Sequence, residues 1–278
     1  MWDSKHDGLP LETSAAIFRK ADTKSGPFNA WLELVHQYSQ YQMSNDGDKL
    51  VALAGLVEVL QDRIANSNER HYHCGVFQSD IERSLMWYGT KDGRHLARAP
   101  SWSWASSGGK VSFNILKVTE GARCWIVVKS LRHQDYLDPS VIQPTCRLTI
   151  RGPVVHMNCV MGVEKSKGLP HTPPHIACDI ATLNIVLDDG CFNIGWAIED
   201  ETGIITGSPH PSRTGKVQIA FLVVWGEGEE VIPFRAWGIL MRPLGEQAGV
   251  YRRIGLAFVR DVEAIWEAVE SPEDFDLI

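Results

Sequence analysis

The 278-residue chain lacks the short motifs that assign a chemistry at sight. No GxxxxGK followed by Ser or Thr is present, and Arg213-Thr214-Gly215-Lys216-Val217 has no upstream glycine, so a phosphate-cradling loop loses its sequence support. There is no GxGxxG opening a helix after a strand, no HExxH and no GxSxG, which removes the usual signatures of dinucleotide, zincin and serine-hydrolase sites. Positive charge is short as well: a formal net charge of −7 gives no electrostatic footprint for nucleic acid. Long apolar runs are missing. The longest, Val217 to Trp225, is interrupted by Gln218 and is too short to span a bilayer. The first residues carry no apolar core of a secretory signal, and no glycosylation sequon occurs. Cysteine is sparse: Cys74, Cys124, Cys146, Cys159, Cys178 and Cys191 form no CxxC and no dense framework. These six are expected to be reduced, in a cytoplasmic protein with neither nucleic-acid nor membrane partners.

What the chain does have is tryptophan, ten residues, and a change of texture near Ala99. Before it, residues 1–98 read as an arm followed by helices. Residues 1–30 hold Gly8, Pro10, Gly26 and Pro27 and few apolar clusters. From Asn29, Trp31, Leu32, Leu34, Val35 and Tyr38 fit a helical face. "LVALAGLVEVLQDRIA" predicts a long helix burying Leu50, Leu53, Val57 and Leu60, with Asp46 and Asp48 as helix-start residues. A third helix is expected over 76–87, with a capped start around His71 and His73. Residues 99–278 are strand-rich, with Asp188-Asp189-Gly190 as a hairpin turn and a short helix in "DVEAIWEAVE". No regular alternation of strand and helix is seen, which argues against a parallel sheet. The fold class predicted is α+β: a helical N-terminal third packed on an antiparallel β-sandwich or barrel, in one cooperative unit.

"RAPSWSWASSGGKV", residues 98–111, reads as a β-hairpin in which Trp102 and Trp104 share a face and Gly108-Gly109 turns the chain. Trp125, Trp196, Trp225 and Trp237 also lie in or beside strand runs. So many indoles exceed what a sandwich core of this size packs readily, so some are expected to wall a ligand cavity. Trp102, Trp104, Trp125 and Trp196 are the candidate substrate-binding residues. His156, in a strand-like apolar stretch, is expected to be partly buried. Tyr251 and Arg253 share a face of "VYRRIGL". These three are the candidate catalytic hydrogen-bonding groups. His171, His175 and Cys178 carry ligand-type side chains, but the two prolines of "HTPPH" prevent a shared helical face, so an exposed loop is expected and no metal site.

Six quoted segments, "WLELVHQYS" with "GDKLVALAGL", "YHCGVF", "LMW", "APSWSWASSGG" and "YRRIGL", occur in an order that resembles the C-terminal region of fungal heterokaryon-incompatibility proteins. The resemblance covers roughly Trp31 to Gly255; Phe77 stands where the pattern more often has Trp. Family members usually carry the heterokaryon-incompatibility signalling domain ahead of this region, and the chain resembles the downstream half without it. The resemblance implies a fungal intracellular protein and a scaffold rather than a catalytic set. Two functions are therefore expected. One is a cofactor-independent isomerase or cyclase, such as a cycloaddition catalyst, acting on a hydrophobic small molecule of fungal secondary metabolism. The alternative is a non-catalytic ligand-binding or protein-interaction module.

Overall fold

Pro27 sits at the start of the first helix, where a missing N–H costs nothing, and α1 runs Gly26–Tyr38. This is a computed structural model, and it describes residues 26–41, 46–89, 96, 98–113, 122–133, 146–162, 181–187, 190–199, 217–227, 235–244, 248–260 and 263–278. The proposed arm before Gly26 and the segment holding His171, His175 and Cys178 lie outside the described residues. The α1 face predicted from the sequence is the buried one: Trp31, Leu34, Val35 and Tyr38. The next helix is shorter than expected. A 3-10 turn at Val51–Leu53 leads into α2, Ala54–Arg63, with Leu53, Val57 and Leu60 buried and Leu50 half-buried.

The third predicted helix is a correction. Tyr72–His73 and Val76–Phe77 are short strands, β1 and β2, paired across a two-residue turn. Cys74 (φ 50°) and Gly75 (φ 94°) both take the left-handed conformation that such a hairpin turn needs. Only Ile81–Ser84 is α-helical, as α3. The capped helix start around His71 and His73 is therefore a hairpin instead. Tyr88–Gly89 (β3) then pairs with Val111–Ser112 (β4).

The remaining strands are β5 (Arg123–Cys124), β6 (Val127–His133), β7 (Cys146–Gly152), β8 (Val154–Gly162), β9 (Ala181–Leu187), β10 (Gly190–Glu199), β11 (Val217–Glu227), β12 (Arg235–Pro243), β13 (Val250–Arg260) and β14 (Glu273–Leu277). Helix α4, Glu263–Glu270, lies where the C-terminal helix was expected. The strands form one ten-stranded sheet in the order β10-β9-β8-β11-β12-β13-β14-β7-β6, with β5 beside β11. All its pairings are antiparallel except β13 with β14. Leu187 pairs with Gly190, so the hairpin read from Asp188-Asp189-Gly190 is present, although the two aspartates lie outside the described residues. The architecture is α+β with a large, mostly antiparallel sheet.

One buried apolar cluster joins the helices to a face of this sheet. It includes Trp31, Leu60, Trp87 and Trp104 from the first part of the chain and Ile198, Leu222, Ile239 and Leu256 from the strands. Strands β11 and β12 approach so closely that a Cβ on Gly238 would lie 1.8 Å from the Leu222 carbonyl oxygen, so only glycine fits there. No helix among the described residues is long and apolar enough to cross a membrane.

Candidate functional site

Residues 100–107 form no hairpin. Ser101 and Trp102 lie in a turn, and Trp104–Ser106 is a 3-10 turn whose first N–H groups are capped by Ser103 Oγ, which accepts from Ala105 N at 3.1 Å. Strand-like alternation of Trp and Ser thus served a different geometry: serine side chains fold the backbone locally while the indoles enter the core. Ser103 Oγ also donates to the Cys74 carbonyl, and Ser106 Oγ donates to Ser103 O at 2.7 Å.

A turn buried in this way leaves carbonyl oxygens that no ladder can satisfy, and each needs a donor. The donors come from across the sequence, and similar donors serve the carbonyls of the adjoining Cys74-Gly75 turn and of Leu85 and Trp87. Trp31 Nε1 and Trp104 Nε1 both reach the Gly75 carbonyl, at 3.2 and 2.6 Å. Trp87 Nε1 donates to Trp102 O at 3.0 Å. Arg98 donates to Ala105 O and Ser107 O, both at 2.7 Å, and Lys49 Nζ donates to Ser107 O at 2.8 Å. Lys49 also lies 5.2 Å from the centroid of the Trp104 ring. Arg253 donates to the Leu85 and Trp87 carbonyls and stacks 3.9 Å from the Trp87 ring centroid. Ser101 closes the junction: its Oγ accepts from Arg253 N at 3.0 Å and donates to Ile278 O.

The segments that carry the resemblance therefore converge on one node. "WLELVHQYS" supplies Trp31, "GDKL" Lys49, "YHCGVF" the Cys74 and Gly75 carbonyls, "LMW" those of Leu85 and Trp87, and "YRRIGL" Arg253. Sequence reading missed the Cys74-Gly75 turn as its centre. The signal lay in Gly75 itself: at φ 94° a Cβ would sit 2.8 Å from Trp104 Nε1.

The nominated site residues are not gathered into one site. Trp102 and Trp104 are fully buried. Trp104 packs edge-on against Trp31 and Tyr38, at centroid distances of 6.3 and 6.5 Å, whereas Trp102 Nε1 is buried without a hydrogen-bond partner. Trp125 is half-buried beneath Arg123, whose guanidinium lies 4.7 Å from the ring centroid. Of Trp196 only the backbone is described; it pairs with Phe258. Arg253 is buried in the node. The His156 side chain, expected to be partly buried, is 43% exposed, although its cross-strand neighbour on β11, Ala220, is fully buried. There Nε2 lies 3.5 Å from Glu273 Oε1, and the ring lies 6.3 Å from that of Tyr251. Burial, then the nearby Glu273 carboxylate, raise the pKa of the Tyr251 hydroxyl.

Cysteine pairing is a further correction. Cys74 and Cys146 form a disulfide, which removes the argument from reduced thiols to a reducing compartment. Spacing could not reveal it, because the partners stand 72 residues apart and meet only through tertiary packing. Cys124 carries a free, half-buried thiol whose pKa burial raises. Beside α3, Asp80 is buried with Oδ2 unpartnered; burial pushes its pKa up to about 7, against the opposing pull of Arg83 at 3.2 Å. Among the described residues no three His, Cys, Asp or Glu side chains converge as metal ligands. Compared with family models, curated proteins and solved structures, the chain matches none.

Proposed function

We propose that the chain is a non-catalytic interaction module, of the kind implied by its resemblance to the C-terminal region of heterokaryon-incompatibility proteins. The observation that carries this reading is the node itself. The most reactive-looking side chains of the shared segments, Arg253, Lys49 and the indoles of Trp31, Trp87 and Trp104, direct their donors at backbone carbonyls. Such a node holds helices, turn and sheet in one arrangement, which is what a docking scaffold requires.

A second reading keeps the cofactor-independent isomerase or cyclase acting on a hydrophobic fungal metabolite. His156 and Tyr251, two of its three nominated catalytic groups, lie side by side with Glu273 against the imidazole, an arrangement suited to proton transfer. The pairings β8–β9, β9–β10, β10–β13, β13–β12, β12–β11 and β11–β8 also form a circuit of ladders, which supports the barrel alternative of the expected fold. Titration calorimetry of the full chain with a separately expressed heterokaryon-incompatibility domain separates the two, run beside turnover assays with terpenoid and polyketide substrates. The module reading expects saturable binding and no turnover. Turnover that His156→Ala abolishes at unchanged Tm would replace it with the enzyme.

A further inference from the structure

The disulfide lies at the node. Cys74 occupies the β1–β2 turn, next to the Gly75 carbonyl that receives two indole N–H groups, and its own carbonyl accepts from Ser103. Cys146 opens β7, where it is fully buried, and β7 lies between β6 and β14 on the flank of the sheet. One covalent bond thus ties the turn that organises the helical side to the sheet flank. The two ends differ in access: Cys74 is half-buried, Cys146 fully buried.

We propose that Cys74–Cys146 is a reversible redox clasp whose state sets how firmly the Cys74-Gly75 turn, and through it Trp31 and Trp104, is held on the sheet. A thiolate of a small dithiol attacks Cys74 Sγ, on the less buried of the two residues, forming a mixed disulfide and releasing Cys146 as a thiolate that takes up a proton. The second thiol of the dithiol then attacks the mixed disulfide and frees Cys74. The net change is two electrons and two protons to the protein and one cyclic disulfide formed from the dithiol. A glutathione disulfide buffer runs the exchange in reverse. Because the leaving sulfur is buried, exchange should be slower than at an exposed disulfide. Reduction leaves the turn held by hydrogen bonds alone, and it returns to the unfolded chain the freedom of a loop closed over 72 residues.

The inference stands apart from the interaction-module reading: the clasp can open and close whether or not a partner binds. Its test uses the full chain, oxidised, reduced with dithiothreitol, and reoxidised with glutathione disulfide. Alkylation with peptide mapping reports the bond, near-ultraviolet circular dichroism the indoles, and thermal unfolding the consequence. Reduction is expected to expose Cys74 and Cys146 to alkylation, change the indole signal and lower Tm by about 8 °C, from the chain-entropy effect of a loop this long. Reoxidation should restore all three, and Cys146→Ser should show the lowered Tm with no response to the dithiol. The proposal is overturned if both cysteines are alkylated in the oxidised chain, or if reduction leaves Tm and the indole signal unchanged. It is also overturned if Cys146→Ser still responds to dithiothreitol. Should that variant not fold, the reduction and reoxidation of the wild type decide by the same criteria.

Discussion

Arg253 distinguishes a catalytic group from a structural one. The residue is 1% exposed, and its guanidinium donates to the carbonyls of Leu85 and Trp87 and covers the Trp87 ring. Methionine has a similar length and no donor, so Arg253→Met leaves both carbonyls buried without this partner. Hydrogen bonds to a charged donor contribute about 1.5–3 kcal/mol each, and a desolvated cation–π contact adds up to about 2. Against this, methionine escapes the cost of burying a charge, which offsets a part of the sum. A net loss of about 4 kcal/mol follows. With about 2.1 cal/mol/K per residue of unfolding entropy, that corresponds to a fall in Tm of about 7 °C for a chain of this length. Arg253→Lys retains the charge, but one ammonium cannot bridge two carbonyls and lie flat on the indole, so it should recover less than half of the loss. Thermal unfolding and urea titration measure both variants, with an unchanged m-value showing that the unfolded state is not the cause. If Arg253→Met melts within about 1 °C of the wild type, well below the structural estimate, the guanidinium is not holding the node. Loss of activity at unchanged Tm would give it a catalytic role instead.

The two indoles of the Ser-Trp-Ser-Trp stretch should differ, although both are fully buried. Trp104→Phe forfeits the hydrogen bond to Gly75 as well as volume, whereas Trp102 Nε1 has no bond to lose. Denaturant titration should show Trp104→Phe the more destabilised by about 1 kcal/mol, and equal losses would contradict the assigned bond. Asp80 predicts a pH dependence. Its folded pKa of about 7 stands above the ordinary 3.8, so the native state holds the proton through that window while the unfolded state has lost it. Stability contributed by the neutral carboxyl is fully present below about pH 4 and is lost as pH rises towards 7, with a limiting slope of about 1.4 kcal/mol per pH unit. Asp80→Asn should flatten that part of the profile, and an unchanged slope would show that another group is responsible.

The sheet, the β9–β10 hairpin and α4 were legible because their patterns are local: alternation, turn chemistry between runs, and a helical apolar face. Helix α1 was legible for the same reason, its start displaced by three residues because Pro27 is acceptable at the first turn. What failed is non-local. Val76 and Phe77 fit a helical pattern continuing to Trp87, but the left-handed pair Cys74-Gly75 folds them back onto Tyr72 and His73. His156 lies among apolar residues in sequence, yet its side chain is 43% exposed beside Glu273, a neighbour from the far end of the chain that no local pattern shows. The disulfide leaves no local trace at all.

Ser-Trp-Ser-Trp was misread because a run of alternating aromatic and small residues has two physical solutions. In a strand, the ladder satisfies the backbone and the aromatics cover one face. In a buried irregular turn, the backbone must be satisfied by side chains, and the suitable ones are those that only donate: Trp, Arg and Lys, with Ser capping locally. The sequence around residues 98–107 is rich in both sets, and the carbonyls of Gly75, Leu85, Trp87, Trp102, Ala105 and Ser107 receive six such side chains, Trp31, Lys49, Trp87, Arg98, Trp104 and Arg253. Donor-only residues have no acceptor with which to take a proton from a substrate, and here their donors point into the fold. Indoles and guanidinium groups clustered by sequence motif, which read as an aromatic wall with catalytic donors, are accounted for by the hydrogen-bond demand of three packed segments: the Cys74-Gly75 turn, Leu85 to Trp87, and residues 102–107. Chemistry left facing solvent is found at His156 and Glu273, where an imidazole and a carboxylate lie 3.5 Å apart.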